Sequence, residues 1–327
     1  MSSRFLSWLP LVAAIAAPAP LLAQDWTPTG DRILSDPTYL PLQGQVSGDS
    51  SYSYGSTGAN TFVGGAQTAS SRETSNALSQ SFAFGVTNEL SVSVGDTYEW
   101  VHDFVSPTAG TDYARNDNGF TDPTFGLTYR LLDQRTQPLD VDLSASYAPN
   151  FIGARGATAF DNGAVARGGD ALDLKLAVAR ETRFMTVQGY VGATRYGQAT
   201  SFNDVGDSSV TSSYWQPVVG IATQTRFNDR LSLNVGGQYD FSGDYNVFAS
   251  DDFGHANYFA QVDRANLGDV SAALNYHFIP NRLVGSVVYT HTFYGPEDVS
   301  YIAMPTDNYG VQRSGDSIGA QLRYVFR

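Results

Sequence analysis

The chain has 327 residues, no cysteine and a formal charge of −13 at pH 7. The lack of cysteine excludes disulfides, thiolate metal sites and a cysteine nucleophile. The balance of 19 Lys and Arg against 32 Asp and Glu argues against nucleic acid as a partner, because phosphate binding needs clustered cations. Abundant glycine (32), tyrosine (19) and phenylalanine (19), with only 16% charged residues, are typical of β-structure.

The N-terminus has the pattern of a secretory signal peptide, because Arg4 precedes an apolar run from Leu6 to Leu22. No later segment has about eighteen uninterrupted apolar residues, the length that a spanning helix needs. Any membrane that the exported chain crosses must therefore be crossed by strands. We expect a signal peptide over residues 1–23, a periplasmic lead-in over 24–37 and a barrel over 38–327.

Apolar and polar residues alternate in stretches along most of the chain, which predicts half-buried strands. The pattern is clearest over residues 139–147, where leucine, valine, alanine and tyrosine alternate with aspartate and serine. The first strand is only weakly indicated. The twelve predicted strands cover residues 39–54, 78–86, 90–100, 125–131, 139–147, 172–178, 185–193, 215–221, 231–241, 270–278, 282–294 and 315–326.

Short and long connections alternate between these strands. The short turns are residues 87–89, 134–137, 182–183, 227–229 and 280–281. The long connections, predicted as loops, are residues 55–75, 106–120, 150–169, 198–213, 246–265 and 295–314. This sorting is typical of outer-membrane barrels, whose periplasmic turns are tight and whose outer loops are long. A soluble exported β-protein, the alternative, has no reason to sort its connections by length.

The last predicted strand, residues 315–326, has one apolar and one polar face and ends in an aromatic residue. It resembles the C-terminal signal by which bacterial outer-membrane barrels are recognised for insertion, although Arg327 follows where such chains usually stop. The positions that match this insertion signal are Gly319, Leu322, Tyr324 and Phe326. Aromatic residues towards strand ends predict interfacial girdles, namely Tyr98, Trp100, Tyr147, Trp215, Tyr239, Phe241, Tyr276 and Tyr324.

These patterns predict an all-β protein: a single closed antiparallel transmembrane β-barrel of about 12 strands, in the bacterial outer membrane. Closure is expected because an open sheet would leave backbone donors and acceptors without partners in lipid. The barrel is expected to be a monomer. Its expected partners are outer-membrane lipids, lipopolysaccharide and the barrel-assembly machinery.

Two segments resemble a family of bacterial barrels, the transporters of the meta-pathway of phenol degradation. They are residues 84–94, which contain the turn Gly-Val-Thr-Asn-Glu-Leu, and residues 119–132, where Thr128 stands in place of a common lysine. The resemblance implies an outer-membrane channel for passive uptake of small organic solutes, often aromatic or hydrophobic. A non-conducting structural or surface-interaction barrel is the alternative, and an outer-membrane lipid hydrolase is a remote one.

Charged residues on the polar faces of the strands are candidates for the lumen. They either form a network that stiffens the barrel or form a constriction that selects solutes, and Arg130 is placed to pair with Asp140 or Asp142 across adjacent strands. Arg130, Asp142, Asp173 and Lys175 are the residues expected at a narrow point. The full set is Glu99, Arg130, Asp140, Asp142, Asp173, Lys175, Asp240, Asp269, His277 and Arg323.

The sequence predicts no catalytic residue, metal site or cofactor. The four histidines have no nucleophile at a diagnostic spacing; they are His102, His255, His277 and His291. Acidic residues in the predicted loops favour a solvated surface over a calcium site, since their spacing matches no known calcium loop. These residues are Asp204, Asp207, Asp251 and Asp252.

Overall fold

The computed structural model describes residues 33–155, 163–202, 208–250, 258–301 and 308–326. They form one sheet of nineteen strands, antiparallel except for a short contact between two of them. No helix in these ranges is long and apolar enough to span a membrane. The strands are β1 (Val46–Val63), β2 (Ala66–Gly85), β3 (Leu90–Pro107), β4 (Tyr113–Phe120), β5 (Thr124–Leu132), β6 (Asp140–Ala148), β7 (Ala154–Arg155), β8 (Ala171–Glu181), β9 (Met185–Tyr196), β10 (Ala199–Phe202), β11 (Ser208–Thr211), β12 (Tyr214–Arg226), β13 (Leu231–Asp240), β14 (Tyr245–Ser250), β15 (Tyr258–Asp263), β16 (Leu267–Ile279), β17 (Leu283–Tyr294), β18 (Glu297–Tyr301) and β19 (Tyr309–Phe326).

Twelve strands close into a ring, which confirms the predicted barrel. The ring order is β1, β2, β3, β5, β6, β8, β9, β12, β13, β16, β17 and β19. It closes because β19 also pairs with β1, so that Val46 lies opposite Phe326. We call the end where tight turns join these strands the short-turn end and the opposite end the long-loop end.

The wall of the ring separates apolar from polar side chains. Leu143 and Leu174 point outwards and are 47% and 41% exposed, while the inward Arg130 and Asp142 are 4% and 8% exposed. An apolar outer face is what a lipid environment requires. A groove of about 700 Å³ on this outer face is lined largely by leucines and aromatic residues, and it belongs to the same apolar surface rather than to the lumen.

The predicted long loops are wrong as loops, because seven of the nineteen strands lie within them. Strands β10, β11, β14, β15 and β18 extend the sheet beyond the ring, β4 pairs with the outer part of β3, and β7 makes a short parallel contact with β10. The apolar alternation that predicted the ring strands is weak here. Outside the lipid layer neither face of a strand needs to be apolar. The alternation of apolar and polar residues that identifies a strand in the sequence therefore disappears.

The first hairpin shows the same correction most clearly. Strands β1 and β2 continue through the predicted loop 55–75 and turn at Gly64 and Gly65, whose φ angles of 58° and 84° favour glycine. Serine, threonine and glycine dominate the part that was predicted as a loop. The predicted strand 39–54 is displaced as well, since β1 begins at Val46. Of the residues before it, Leu40 and Pro41 are buried inside the ring, while Gln43 and Gly44 are exposed beside the end of β2.

The two segments that carry the family resemblance have structural roles in this chain. In the turn between β2 and β3, Thr87 Oγ1 accepts hydrogen bonds from the amides of Glu89 and Leu90. Between β4 and β5, Asp122 Oδ1 accepts hydrogen bonds from the amides of Phe151 and Ile152. The first motif therefore stabilises the turn between β2 and β3, and the second lies at the break between β4 and β5.

Candidate functional site

Residues 33–45, which we call the plug segment, enter the lumen at the short-turn end. Leu34, Ser35 and Asp36 are only 2%, 1% and 5% exposed. Residues 33–37 belong to the predicted periplasmic lead-in, so this part of the lead-in lies within the barrel. A buried chain segment without regular structure needs partners for its backbone groups, and the wall provides them.

One side of the wall binds the plug segment through serine, glutamine, asparagine and histidine. The Ser35 hydroxyl accepts a hydrogen bond from Gln224 Nε2 (2.6 Å) and lies 3.1 Å from His277 Nε2. Asn234 Nδ2 donates to the Ser35 carbonyl at 2.8 Å. Strands β12, β13 and β16 bring these three side chains together next to their tight turns, although they are far apart in sequence.

Arg130 attaches the next part of the plug segment to the wall. Its guanidinium donates to both carboxylate oxygens of Asp142 at 2.7 and 2.8 Å and lies 3.6 Å from Asp140. It also donates to the carbonyl of Thr38 at 2.6 Å. The predicted cross-strand pairing of Arg130 is confirmed, because β5 and β6 place Arg130 opposite Asp142. Asp36 completes this attachment by accepting a hydrogen bond from the Thr186 hydroxyl.

The plug segment leaves a gap on the other side of the lumen. A cavity of about 250 Å³ separates it from β1, β2 and β19 and is lined by Ser47, Asp49, Ser81 and Arg323, among others. Here Arg323 Nε donates to Asp49 at 2.9 Å, and both side chains are partly exposed. The contacts of the plug segment through Arg130, Thr186, Gln224 and His277 all lie on strands β5 to β16.

A second cavity of about 420 Å³ lies along the same three strands at the long-loop end. Glu73, Asp103 and the ion pair Arg313–Glu297 (3.1 Å) line it, together with Tyr309. On nearby β4, burial and the neighbouring Asp103 raise the pKa of Asp117, against the opposing effect of Arg115. Acidic side chains therefore predominate in the lumen at the long-loop end.

A strip of small inward side chains lies between the two cavities. Strand pairing aligns the inward positions of β1, β2 and β19 there, and all but one are glycine, alanine or serine; the exception is Gln321, which donates to Asp49 at 2.6 Å beside the first cavity. On the opposite side of the lumen the inward side chains are longer. Lys175 Nζ, for example, lies 5.3 Å from the centroid of the Tyr190 ring. The strip consists of Ser51, Ser53, Gly55, Ser75, Ala77, Ser79, Gly315, Ser317 and Gly319.

The predicted lumen residues form several local groups. Arg130, Asp140 and Asp142 meet at the plug segment, as His277 does separately. Asp173, Asp240 and Asp269 accept hydrogen bonds from Thr194, Gln238 and Thr292, and Glu99 lies opposite Ala77 and Gly119. Asp142 lies at the level of Arg130, whereas Lys175 pairs with Ser144 and Asp173 with Ser146. The four residues expected at one narrow point therefore occupy three successive levels of the wall.

Several residues of this site gave no sequence signal. Ser35, Asp36 and Thr38 lie in a stretch without a period, and Gln224 and Asn234 were not selected because they are uncharged. Within the described residues no group of three or more histidine, aspartate or glutamate side chains could hold a metal ion. His255 and the acidic residues weighed as calcium ligands lie outside the described residues, namely Asp204, Asp207, Asp251 and Asp252.

No protein-family model and no curated protein matches the sequence. Among solved structures, the chain is similar to a COG4313 outer membrane channel from Pseudomonas putida F1, with 15% identity and a TM-score of 0.58 over 89% of this chain and 99% of that one. It is also similar to the transport unit of the autotransporter AIDA-I from Escherichia coli, with 10% identity and a TM-score of 0.51 over 97% of each chain. At such identities the likeness shows the fold, which is the barrel of outer-membrane proteins.

Proposed function

We propose that this chain is an outer-membrane channel for the passive uptake of small organic solutes. Its short-turn end faces the periplasm and its long-loop end faces the exterior, as in other barrels of this type. Solutes pass along β1, β2 and β19, beside the plug segment, which stays in place. The observation that carries this proposal is the strip of mostly small inward residues that lies between the two cavities.

Two further points support a channel. The similar structure from Pseudomonas putida is described as an outer membrane channel, and the family that the sequence resembles transports small, often aromatic solutes. The ion pair Arg323–Asp49 lines the gap beside the plug segment, and both of its side chains remain partly exposed. A partly exposed pair can separate at small cost, which suits a passage.

Liposome swelling with the purified full-length protein tests this function, with phenol and small sugars as solutes. We expect faster swelling than in protein-free liposomes. The variant Ala77→Trp should reduce the rate strongly because the indole fills the strip, whereas Leu78→Trp, on the lipid-facing side of the same strand, should not. Equal rates with and without protein would instead favour the non-conducting structural or surface-interaction barrel.

The C-terminal strand supports a proposal about assembly. Ile318, Leu322 and Phe326 lie on the outer face and are 54%, 41% and 52% exposed. We propose that this face of β19 is recognised by the barrel-assembly machinery before β19 pairs with β1. Deletion of Phe326 should lower the fraction of folded barrel in the outer membrane, measured by heat-modifiable gel mobility, and an unchanged fraction would contradict this.

A further inference from the structure

Three tyrosine rings stack on the inner wall at the long-loop end. Tyr196 ends β9 and pairs with Tyr214 at the start of β12, with ring centroids 4.9 Å apart. Tyr245, at the start of β14, continues the row at 5.2 Å with an interplanar angle of 25°. The row faces inwards, because the neighbouring Trp215 is 49% exposed outside while Gln216, on the same side as Tyr214, is 7% exposed. We call these three residues the tyrosine stack.

Two arginines lie against the tyrosine stack. The guanidinium of Arg167 is 4.6 Å from the Tyr196 centroid and 5.6 Å from that of Tyr214, and it donates to the carbonyls of Asp170 and Gly197. Arg264 lies 5.6 Å from the Tyr214 centroid and donates to the Tyr214 hydroxyl at 2.8 Å. Both cations are thus fixed by neutral acceptors and by the electron-rich ring faces.

These two arginines differ from the other arginines of the lumen. Arg130, Arg226, Arg313 and Arg323 each form an ion pair with a carboxylate. In the part of the chain that the structure describes, neither Arg167 nor Arg264 has a carboxylate within 4.0 Å. This contrast is notable in a chain with 32 acidic residues, and it leaves two positioned positive charges for an anion from outside.

An apolar surface continues from the other end of the tyrosine stack. Ala260, Val262 and Val299 are buried together on β15 and β18, and Tyr245 and Val247 pack against them. This buried cluster therefore holds Tyr245 in place, and a ligand at the stack would meet tyrosine rings beside two guanidinium groups. Tyrosine faces favour stacking of an aromatic ring, and the fork of a guanidinium matches a carboxylate.

We infer that Tyr196, Tyr214, Arg167 and Arg264 form a binding site for an aromatic carboxylate. The ring lies on the tyrosine stack, and the carboxylate accepts hydrogen bonds from the two guanidinium groups. The role of this site as an entry point for solutes rests on the proposed channel function, whereas the binding itself does not. Because the arginines select for charge, neutral aromatic molecules such as phenols bind there more weakly.

Isothermal titration of the purified full-length barrel tests this site, with benzoate, benzyl alcohol and acetate as probes. Benzoate should bind most tightly, and its affinity should fall as salt increases. Arg264→Gln should weaken benzoate binding about tenfold or more, since a charge-assisted hydrogen bond is lost. The same variant should leave benzyl alcohol binding unchanged, and Tyr214→Leu should weaken both aromatic probes.

Arg195→Gln is the matched control, because Arg195 precedes Tyr196 but is exposed on the outer face. It removes the same charge and should leave benzoate binding intact, with heat-modifiable gel mobility confirming that each variant is folded. Equal benzoate affinity for wild type and Arg264→Gln, or no preference of the wild type for benzoate over benzyl alcohol, would overturn the inference. Specific benzoate binding without liposome swelling would uphold it and contradict the channel function instead.

Discussion

The surroundings of arginine side chains differ between the two ends of the barrel. At the short-turn end Arg130 is 4% exposed, paired with two carboxylates and hydrogen bonded to the plug segment. At the long-loop end Arg264 is partly exposed and held by a tyrosine hydroxyl and an amide oxygen. Paired and buried charge fixes one chain segment against another, while charge left without a carboxylate is available to a ligand. One wall thus combines a fixed plug segment with a pair of arginines positioned for a ligand.

The largest loss of stability is expected from the removal of Arg130 at the short-turn end. Arg130→Ala leaves Asp140 and Asp142 next to each other without a cation and removes the donor to Thr38. Removing one partner of a buried pair should lower the free energy of unfolding by about 3–5 kcal/mol. Urea unfolding in lipid vesicles, followed by heat-modifiable mobility, measures this.

Arg323→Ala is the control for that variant, because its pair with Asp49 is partly exposed and should contribute about 0–1 kcal/mol. A loss in Arg323→Ala as large as the loss in Arg130→Ala would show that the two pairs do not differ, and the distinction between a fixed and a separable pair would be wrong.

A slightly smaller loss of stability is expected from a charged substitution on the lipid-facing side of the barrel wall. Leu143→Arg places a cation on the lipid-facing side of β6 and should cost about 2–4 kcal/mol near the membrane midplane. Ser146→Arg, on the inward face of the same strand opposite Asp173, should insert normally. The yield of folded barrel in outer-membrane fractions compares the two. Normal insertion of Leu143→Arg would contradict the facing of β6.

The smallest effect is expected at the long-loop end. Arg264→Gln has no carboxylate to leave unpaired among the described residues, so it should lower the free energy of unfolding by about 1 kcal/mol or less, as expected for the loss of its hydrogen bonds to Tyr214 and Gln216. The same unfolding experiment as for Arg130→Ala measures it. A loss comparable with that of Arg130→Ala would show that Arg264 is a structural residue rather than one available to a ligand.

Sequence predicted the ring because lipid imposes a two-residue period on every strand that crosses it. Leu143 and Asp142 alternate for that reason, and the pairing of Arg130 with Asp142 followed from adjacent strands. The same reasoning failed above the lipid, where Gly55 to Ser75 carry strands without an apolar face.

The plug segment and the tyrosine stack depend on contacts that no local pattern carries. Ser35 meets His277 across 242 positions of sequence, through short polar side chains that are common everywhere in this chain. Tyr196 and Tyr214 flank a stretch that was predicted as a loop, so their pairing required the register of β9 and β12. Both sites are formed by the pairing register of strands that are distant in sequence, which composition does not reveal.

A reversible disulfide between the plug segment and the wall tests directly whether solutes pass beside a plug segment that stays in place. The chain has no cysteine, and the hydroxyls of Ser35 and Ser232 lie 3.4 Å apart, so Ser35→Cys with Ser232→Cys can be oxidised to a single disulfide between plug segment and wall. Conductance in planar bilayers is measured with the disulfide formed and after its reduction. We expect the same conductance in both states, and a channel that closes on oxidation and reopens on reduction would contradict passage beside a fixed plug segment.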